Sequence, residues 1–275
     1  MIIETHCHIV FEDQRKYPRD LRPKPAAWVR NLSAEEFLRL MDGAGVDRAL
    51  LVQAFSAYKC DNSYVVDAAA RYPDRFAAVC IVDGLQPNAA QKLDYWVTER
   101  GARGLRVVTW TEPETMLDDR RLDSLWQRAA ELRIPVCVLT NFHQVLRLAP
   151  VLARFPEMRL ALDHLGMPDP SEGPPYSKLK PLLDLARFPN FYGKFSSWTI
   201  AAAANSKGGC AEFFDLLIDT FGPQRLMWGS NFPASNDRSY QGFVQFALEQ
   251  LAFLSPQAKQ WMFSDTALSL WPTLR

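Results

Sequence analysis

The chain has 275 residues, 48% of them hydrophobic, which is enough for one large core and within the usual length of a single α/β barrel. Lys+Arg and Asp+Glu number 31 each, so the formal charge is zero. The basic excess of a nucleic-acid binder is missing, and no apolar run reaches the roughly 18 residues of a membrane span. The start, Met1-Ile2-Ile3-Glu4-Thr5-His6, lacks the pattern of a signal peptide. The five cysteines are scattered, without a C-x-x-C pair, and read as reduced thiols of a cytoplasmic protein.

Short apolar, β-branched runs alternate with amphipathic stretches from end to end. In chain order, strands are expected at residues 2–5, 48–53, 76–82, 104–108, 135–139, 159–163, 191–195 and 226–229. Helical periodicity covers 62–72, 87–100, 122–132, 145–155 and 211–221, and Ser33-Ala34-Glu35-Glu36 reads as a capping box opening the first helix. The strands are continuously apolar rather than alternating, so they are expected to be covered on both faces, as in a parallel sheet. Eight such units over residues 1–275 predict a single-domain (β/α)8 TIM-type barrel. An open doubly wound sheet is the alternative, but no G-x-G-x-x-G or G-x-x-x-x-G-K follows any strand. Two proline-bearing segments, 11–27 after the first strand and 166–175 after the sixth, are extended loops and candidate pocket walls. Trp261 and Trp271 fit a terminal helix closing against the barrel, and Phe11, Trp110, Trp198 and Phe232 lie near its mouth.

Polar residues gather where strands end. The first strand finishes Glu4-Thr5-His6-Cys7-His8, and the period of two predicts that Glu4, His6 and His8 point together into the barrel mouth. His6 and His8 then form a pair of nitrogen ligands or an acid–base and polarising pair. His164 ends the sixth strand in Asp163-His164-Leu165-Gly166, His143 follows the fifth, and the eighth ends in Gly229-Ser230-Asn231-Phe232-Pro233.

Together, H-x-H after strand one, D-H-L-G after strand six and G-S-N-F-P after strand eight resemble the amidohydrolase superfamily. The resemblance is to the branch containing 2-pyrone-4,6-dicarboxylate lactonase and sugar-lactone hydrolases, and it runs from the first strand to the eighth. Val52-Gln53 ahead of Asp61-Asn62-Ser63-Tyr64, and Phe191-Tyr192-Gly193-Lys194-Phe195-Ser196, are similar to that branch as well. The resemblance implies a hydrolytic water at the barrel mouth, with His6, His8, His164 and residue 231 as the catalytic set. Gln53, Asn141 and Lys194 join Arg106 as substrate-binding candidates; Arg106 offers the bidentate fork that a substrate carboxylate takes. Glu4, His6, His8, His164 and Asn231 would be the ligands if a metal is bound, and the cofactor expectation is none or one divalent ion, zinc or manganese.

The pattern departs from the family at Glu4, where most members carry aspartate, and at Asn231, where the aspartate base belongs. An amide takes no proton from water, and loss of a general base costs roughly 10²–10⁴-fold in rate. Three accounts stay open: an engineered Asp→Asn inactive variant, a different base such as Glu4 or a histidine, or a barrel that binds without turnover. The leading reading is a hydrolase opening a carboxylate-bearing lactone. A metal-dependent decarboxylase or hydratase, an amide or imide hydrolase, and a non-catalytic small-molecule binder are the alternatives. A small molecule is the expected partner, with no nucleic acid or membrane, and homo-oligomerisation is left open.

Overall fold

The computed structural model describes residues 1–22, 26–109 and 116–275; Trp110 and the two prolines at 23 and 25 lie outside them. Eight parallel strands follow one another in order: β1 (Ile3–Cys7), β2 (Arg48–Val52), β3 (Phe76–Ile81), β4 (Gly104–Val108), β5 (Val136–Leu139), β6 (Leu160–Leu162), β7 (Phe191–Ser196) and β8 (Leu226–Gly229). Helices alternate with them: α1 (Ala34–Ala44), α2 (Phe55–Tyr58), α3 (Ser63–Arg71), α4 (Ala89–Asp94), α5 (Asp123–Glu131), α6 (Leu148–Arg154), α7 (Lys180–Leu183), α8 (Ser197–Ala204), α9 (Gly209–Phe221), α10 (Tyr240–Gln250), α11 (Pro256–Gln260) and α12 (Thr266–Leu270). This is a TIM (β/α)8 barrel, and the open-sheet alternative falls away. Ser33 caps α1 as its spacing predicted, accepting from the Glu36 amide at 3.1 Å. The helix expected over 145–155 instead starts as a 3-10 turn, Phe142–Arg147, and becomes α-helical at Leu148. Pro150 explains the restart, because it has no N–H to donate into an earlier helical turn.

The continuously apolar strands serve two cores. Leu50, Val52, Ala77, Val79, Cys137, Ala161 and Met227 point into the barrel, where Trp271, Leu270 and Leu274 fill the end at the strands' amino termini. Their neighbours in sequence, such as Ala49, Leu51, Leu105, Val136 and Leu160, face the helices. Trp271 thus closes the barrel from below, as its position in the last stretch predicted.

β1 breaks this alternation. Glu4 pairs with Ala49 and Cys7 with Leu51, so Thr5 and His6 together oppose Leu50, the two-against-one count of a β-bulge. Parity therefore changes inside the strand, and Glu4 falls on the helix-facing side with Ala49 while His6 turns inward. The expectation that Glu4, His6 and His8 point the same way is corrected for this reason: the period of two holds only where no residue is inserted. Side chains satisfy the backbone groups that the bulge disturbs. The His6 amide donates to Glu4 Oε1 at 2.8 Å, and the Thr5 carbonyl accepts from Lys194 Nζ at 3.0 Å.

Glu4 also holds the β8–β1 seam. Both its oxygens accept from the Ser230 amide, at 2.9 and 3.0 Å, and Tyr240 of α10 donates to Oε2 at 3.4 Å. The seam continues through Asn231 N–H to His6 O and His8 N–H to Phe232 O, both at 2.8 Å. Gly229 permits this approach, since a Cβ there would lie 2.7 Å from the His6 Cβ and 2.8 Å from its amide nitrogen.

Burial raises the Glu4 carboxyl to about 7, against the hydrogen bonds that favour its charge. A raised carboxyl pKa means that the folded state binds the proton more tightly than the unfolded one. Its contribution is therefore full below the unfolded value near 4.5 and is lost as pH rises through 7. We expect Glu4→Gln to remove that loss, worth about 3 kcal/mol. The melting temperature of Glu4→Gln minus that of wild type should then rise between pH 5 and pH 8; a constant difference would contradict a titrating Glu4.

Candidate active site

The carboxyl ends of the strands surround a pocket of about 210 Å³. His8, Val108, Leu139, His164 and Asn231 come to it from strand ends and Arg106 from within β4, and Trp28, Phe55, Ser56, Lys59 and Trp198 wall it. Segment 11–27 contributes Ala26, beside Trp28, whereas segment 166–175 contributes no described lining residue; the second wall is α2 and Lys59 instead.

Beneath the pocket lies a fully buried ionic cluster. Inner-facing positions on β4 and β7 supply Arg106 and Lys194, and the residue after β6 supplies Asp163. Asp163 accepts from Arg106 Nε at 2.8 Å, lies 3.3 Å from Lys194 Nζ and takes the His6 Nδ1–H at 3.2 Å. Burial pushes its carboxyl up, but Lys194, His6 and Arg106 outweigh that and hold it well below the usual range. Two fixed cations against one carboxylate leave one positive charge under the pocket floor.

The three histidines are all neutral, and burial is the largest reason. It takes His6 well below its ordinary value, His8 to about 3 and His164 to about 4, with Arg106 adding to the depression in each case. Their partners fix what each ring can do. Because ionised Asp163 only accepts, His6 must carry its proton on Nδ1, and Arg106 Nη2 lies 3.3 Å from the Nε2 lone pair. His8 Nδ1 lies 2.9 Å from the Val52 carbonyl, which also only accepts, so the proton sits there and Nε2 keeps a lone pair. The His8 ring stacks on Trp28, with centroids 5.3 Å apart.

His164 packs against His6 and Trp198 at 4.7 and 5.1 Å, and its Nδ1 has no hydrogen-bond partner among the described residues. Its backbone begins a left-handed run, His164 (φ 56°), Leu165 (φ 53°) and Gly166 (φ 70°). Two of these are side-chain-bearing residues in a conformation that costs energy, the kind of strain that collects at functional sites. Asn231 is left-handed too (φ 62°), and its Nδ2 donates to Ser235 at 3.3 Å.

The structure thus gathers His8, His164, Arg106 and Asn231 around the pocket, with His6 beneath it in the ionic cluster. It places the other sequence candidates elsewhere. Glu4 is in the seam. Lys194 lies in the barrel interior, 1% exposed, between Asp163 and the Trp271 ring. Gln53 donates to the carbonyls of Asp61 and Lys59 and so shapes the α2 turn rather than lining the pocket. Asn141 and exposed His143 are not among the described lining residues either. Sequence reasoning missed Asp163, although it stands in the D-H-L-G phrase at an inward-facing position. It also missed Lys59, Phe55 and Ser56, for which no local signal exists.

A divalent ion fits this donor set poorly. His6 Nε2 already meets a guanidinium, Glu4 faces away, residue 231 is an amide, and two buried cations stand close by. Among the described residues, no group of three or more His, Cys, Asp or Glu is arranged to hold a metal. Elemental analysis of protein made in zinc- and manganese-supplemented medium should find no stoichiometric metal; one equivalent would overturn this. Asp163→Ala, which leaves both cations unpaired, should cost about 3–5 kcal/mol in denaturant unfolding.

The chain is 28% identical over 240 residues to a 4-sulfomuconolactone hydrolase of Hydrogenophaga intermedia, covering 84% of this chain and 74% of that one. It is 25% identical over 245 residues to an L-fucono-1,5-lactonase of Burkholderia ambifaria, covering 86% and 84%. Among solved structures, an amidohydrolase from Burkholderia multivorans with bound zinc superposes with a TM-score of 0.77 at 21% identity, over 99% of each chain. The amidohydrolase family model matches residues 3–273, nearly the whole length, and the chain belongs to the amidohydrolase family.

Proposed function

We propose that the protein is a hydrolase that opens a small lactone bearing a carboxylate. The observation that carries this reading is the charge of the pocket: Arg106 and Lys59 line it, and no carboxylate does among the described lining residues. Both relatives named above act on lactones, which supports the reaction class. Arg106 has five N–H donors, of which Asp163 and His6 engage two, and a ring carboxylate suits the others. Lys59, its ammonium 4.9 Å from the Phe55 ring centroid, adds a second cation at the wall. Trp28, Phe55 and Trp198 supply flat apolar surface for the ring.

Hydrolysis then needs a water, a base for its proton and a donor for the developing oxyanion. Asn231 orients the water or meets the oxyanion through its amide, and a neutral histidine takes the proton. Ring opening gives a hydroxy acid, and the added negative charge favours the same cationic floor.

The reading is tested by following ring opening of 2-pyrone-4,6-dicarboxylate against neutral L-fucono-1,5-lactone. We expect turnover of the charged ring. Lys59→Ala should raise its KM about tenfold, the loss of one charge-assisted hydrogen bond at a half-buried site, and leave the neutral ring unaffected. Turnover of the neutral ring alone would refute the anionic substrate class.

A further inference from the structure

We infer that His8, through Nε2, is the proton acceptor that replaces the missing strand-eight carboxylate. The inference rests on the hydrolytic reading above and concerns which atom takes the proton from water. Besides Arg106, the basic side chains at or just beneath the pocket among the described residues are His6, His8, His164 and Lys59, and the geometry sorts them. His6 has both nitrogens engaged, Nδ1 on Asp163 and Nε2 against Arg106. Lys59 is an ammonium. His164 leaves Nδ1 unpartnered among the described residues, so nothing fixes which of its nitrogens carries the proton. His8, like His6, has its tautomer set by a group that can only accept, here the Val52 carbonyl, but its lone pair on the other ring nitrogen does not face Arg106 as that of His6 does. Trp28 holds the ring face, and the side chain lines the pocket.

Position supports the same atom. Asn231 N–H bonds to His6 O and His8 N–H bonds to Phe232 O, so residues 8 and 231 are neighbours across the seam of β1 and β8. The side chains of both residues line the same pocket.

The step balances as follows. Water oxygen bonds to the lactone carbonyl carbon while its proton passes to His8 Nε2. The tetrahedral oxyanion then collapses, the ring C–O bond breaks, and His8 returns the proton to the departing oxygen. Water is consumed and a hydroxy acid leaves, with the enzyme unchanged.

Bromoacetate, a small anionic alkylating agent, tests the lone pair without any substrate. We expect carboxymethylation at His8, mapped by peptide mass and assigned to Nε2 by NMR, and slowed in Arg106→Met. Labelling of His164 instead, or of neither, overturns the assignment. With a lactone that is turned over, His8→Gln should lower kcat by about 10²–10⁴-fold with KM changed little. Asn231→Asp in that background should restore part of the loss. Retained kcat in a folded His8→Gln protein overturns the proposal while leaving the lactone reading intact. His8 labelling without turnover of any lactone supports His8 as the pocket's proton acceptor and overturns the lactone reading alone.

Discussion

One inserted residue in the first strand decides how the barrel mouth is built. Because Thr5 and His6 together oppose Leu50, Glu4 is turned out to the seam and His6 is turned in to the cluster. Each disturbed backbone group is met by a buried charged side chain, the His6 amide by Glu4 and the Thr5 carbonyl by Lys194. The bulge, the seam and the ionic cluster are thus one construction, and the polar groups are satisfied together or not at all. Bulges re-aim side chains next to active sites for this reason.

The ionic cluster in turn governs the histidines. Asp163 holds two cations and a ring proton at once, which fixes Arg106 and the His6 tautomer in a single stroke. A rigid guanidinium is a preorganised positive charge that does not need to be recruited from solution. In this chain it stands against the Nε2 of His6. Charge is therefore supplied to the pocket by protein cations, and that accords with an anionic substrate.

Much of this was legible in the sequence. Eight apolar runs at regular spacing, each too short for a helix and apolar on both faces, specify strands sheathed on both sides, and the barrel follows. His6, His8, His164 and Asn231 stand at or just past the ends of those runs, where a barrel keeps its chemistry, and Arg106 stands at an inner-facing position within the fourth. Asp163 was equally visible, one residue from His164, but a neighbouring motif letter gives no indication that it will pair with a distant lysine and a distant arginine side chain. Lys194 was picked out by its phrase in the seventh strand, yet its depth in the barrel sets it below the pocket. Lys59, Phe55 and Ser56 lie on the short turn after β2, and only the docking of that turn over the mouth gives them a place in the site.

What the sequence determined by itself was periodicity, and with it the fold, the strand ends and the residue types offered there, because hydrophobic burial reads local pattern. What only the tertiary structure decided was parity and pairing. A bulge is set by the register of β1 on β2, and a histidine's tautomer by whichever group lies opposite. Here those groups are Asp163, 157 residues from His6, and the Val52 carbonyl, 44 residues from His8. Hydrogen bonds are directional and short-ranged, so their partners are fixed only when the strands that carry them have closed.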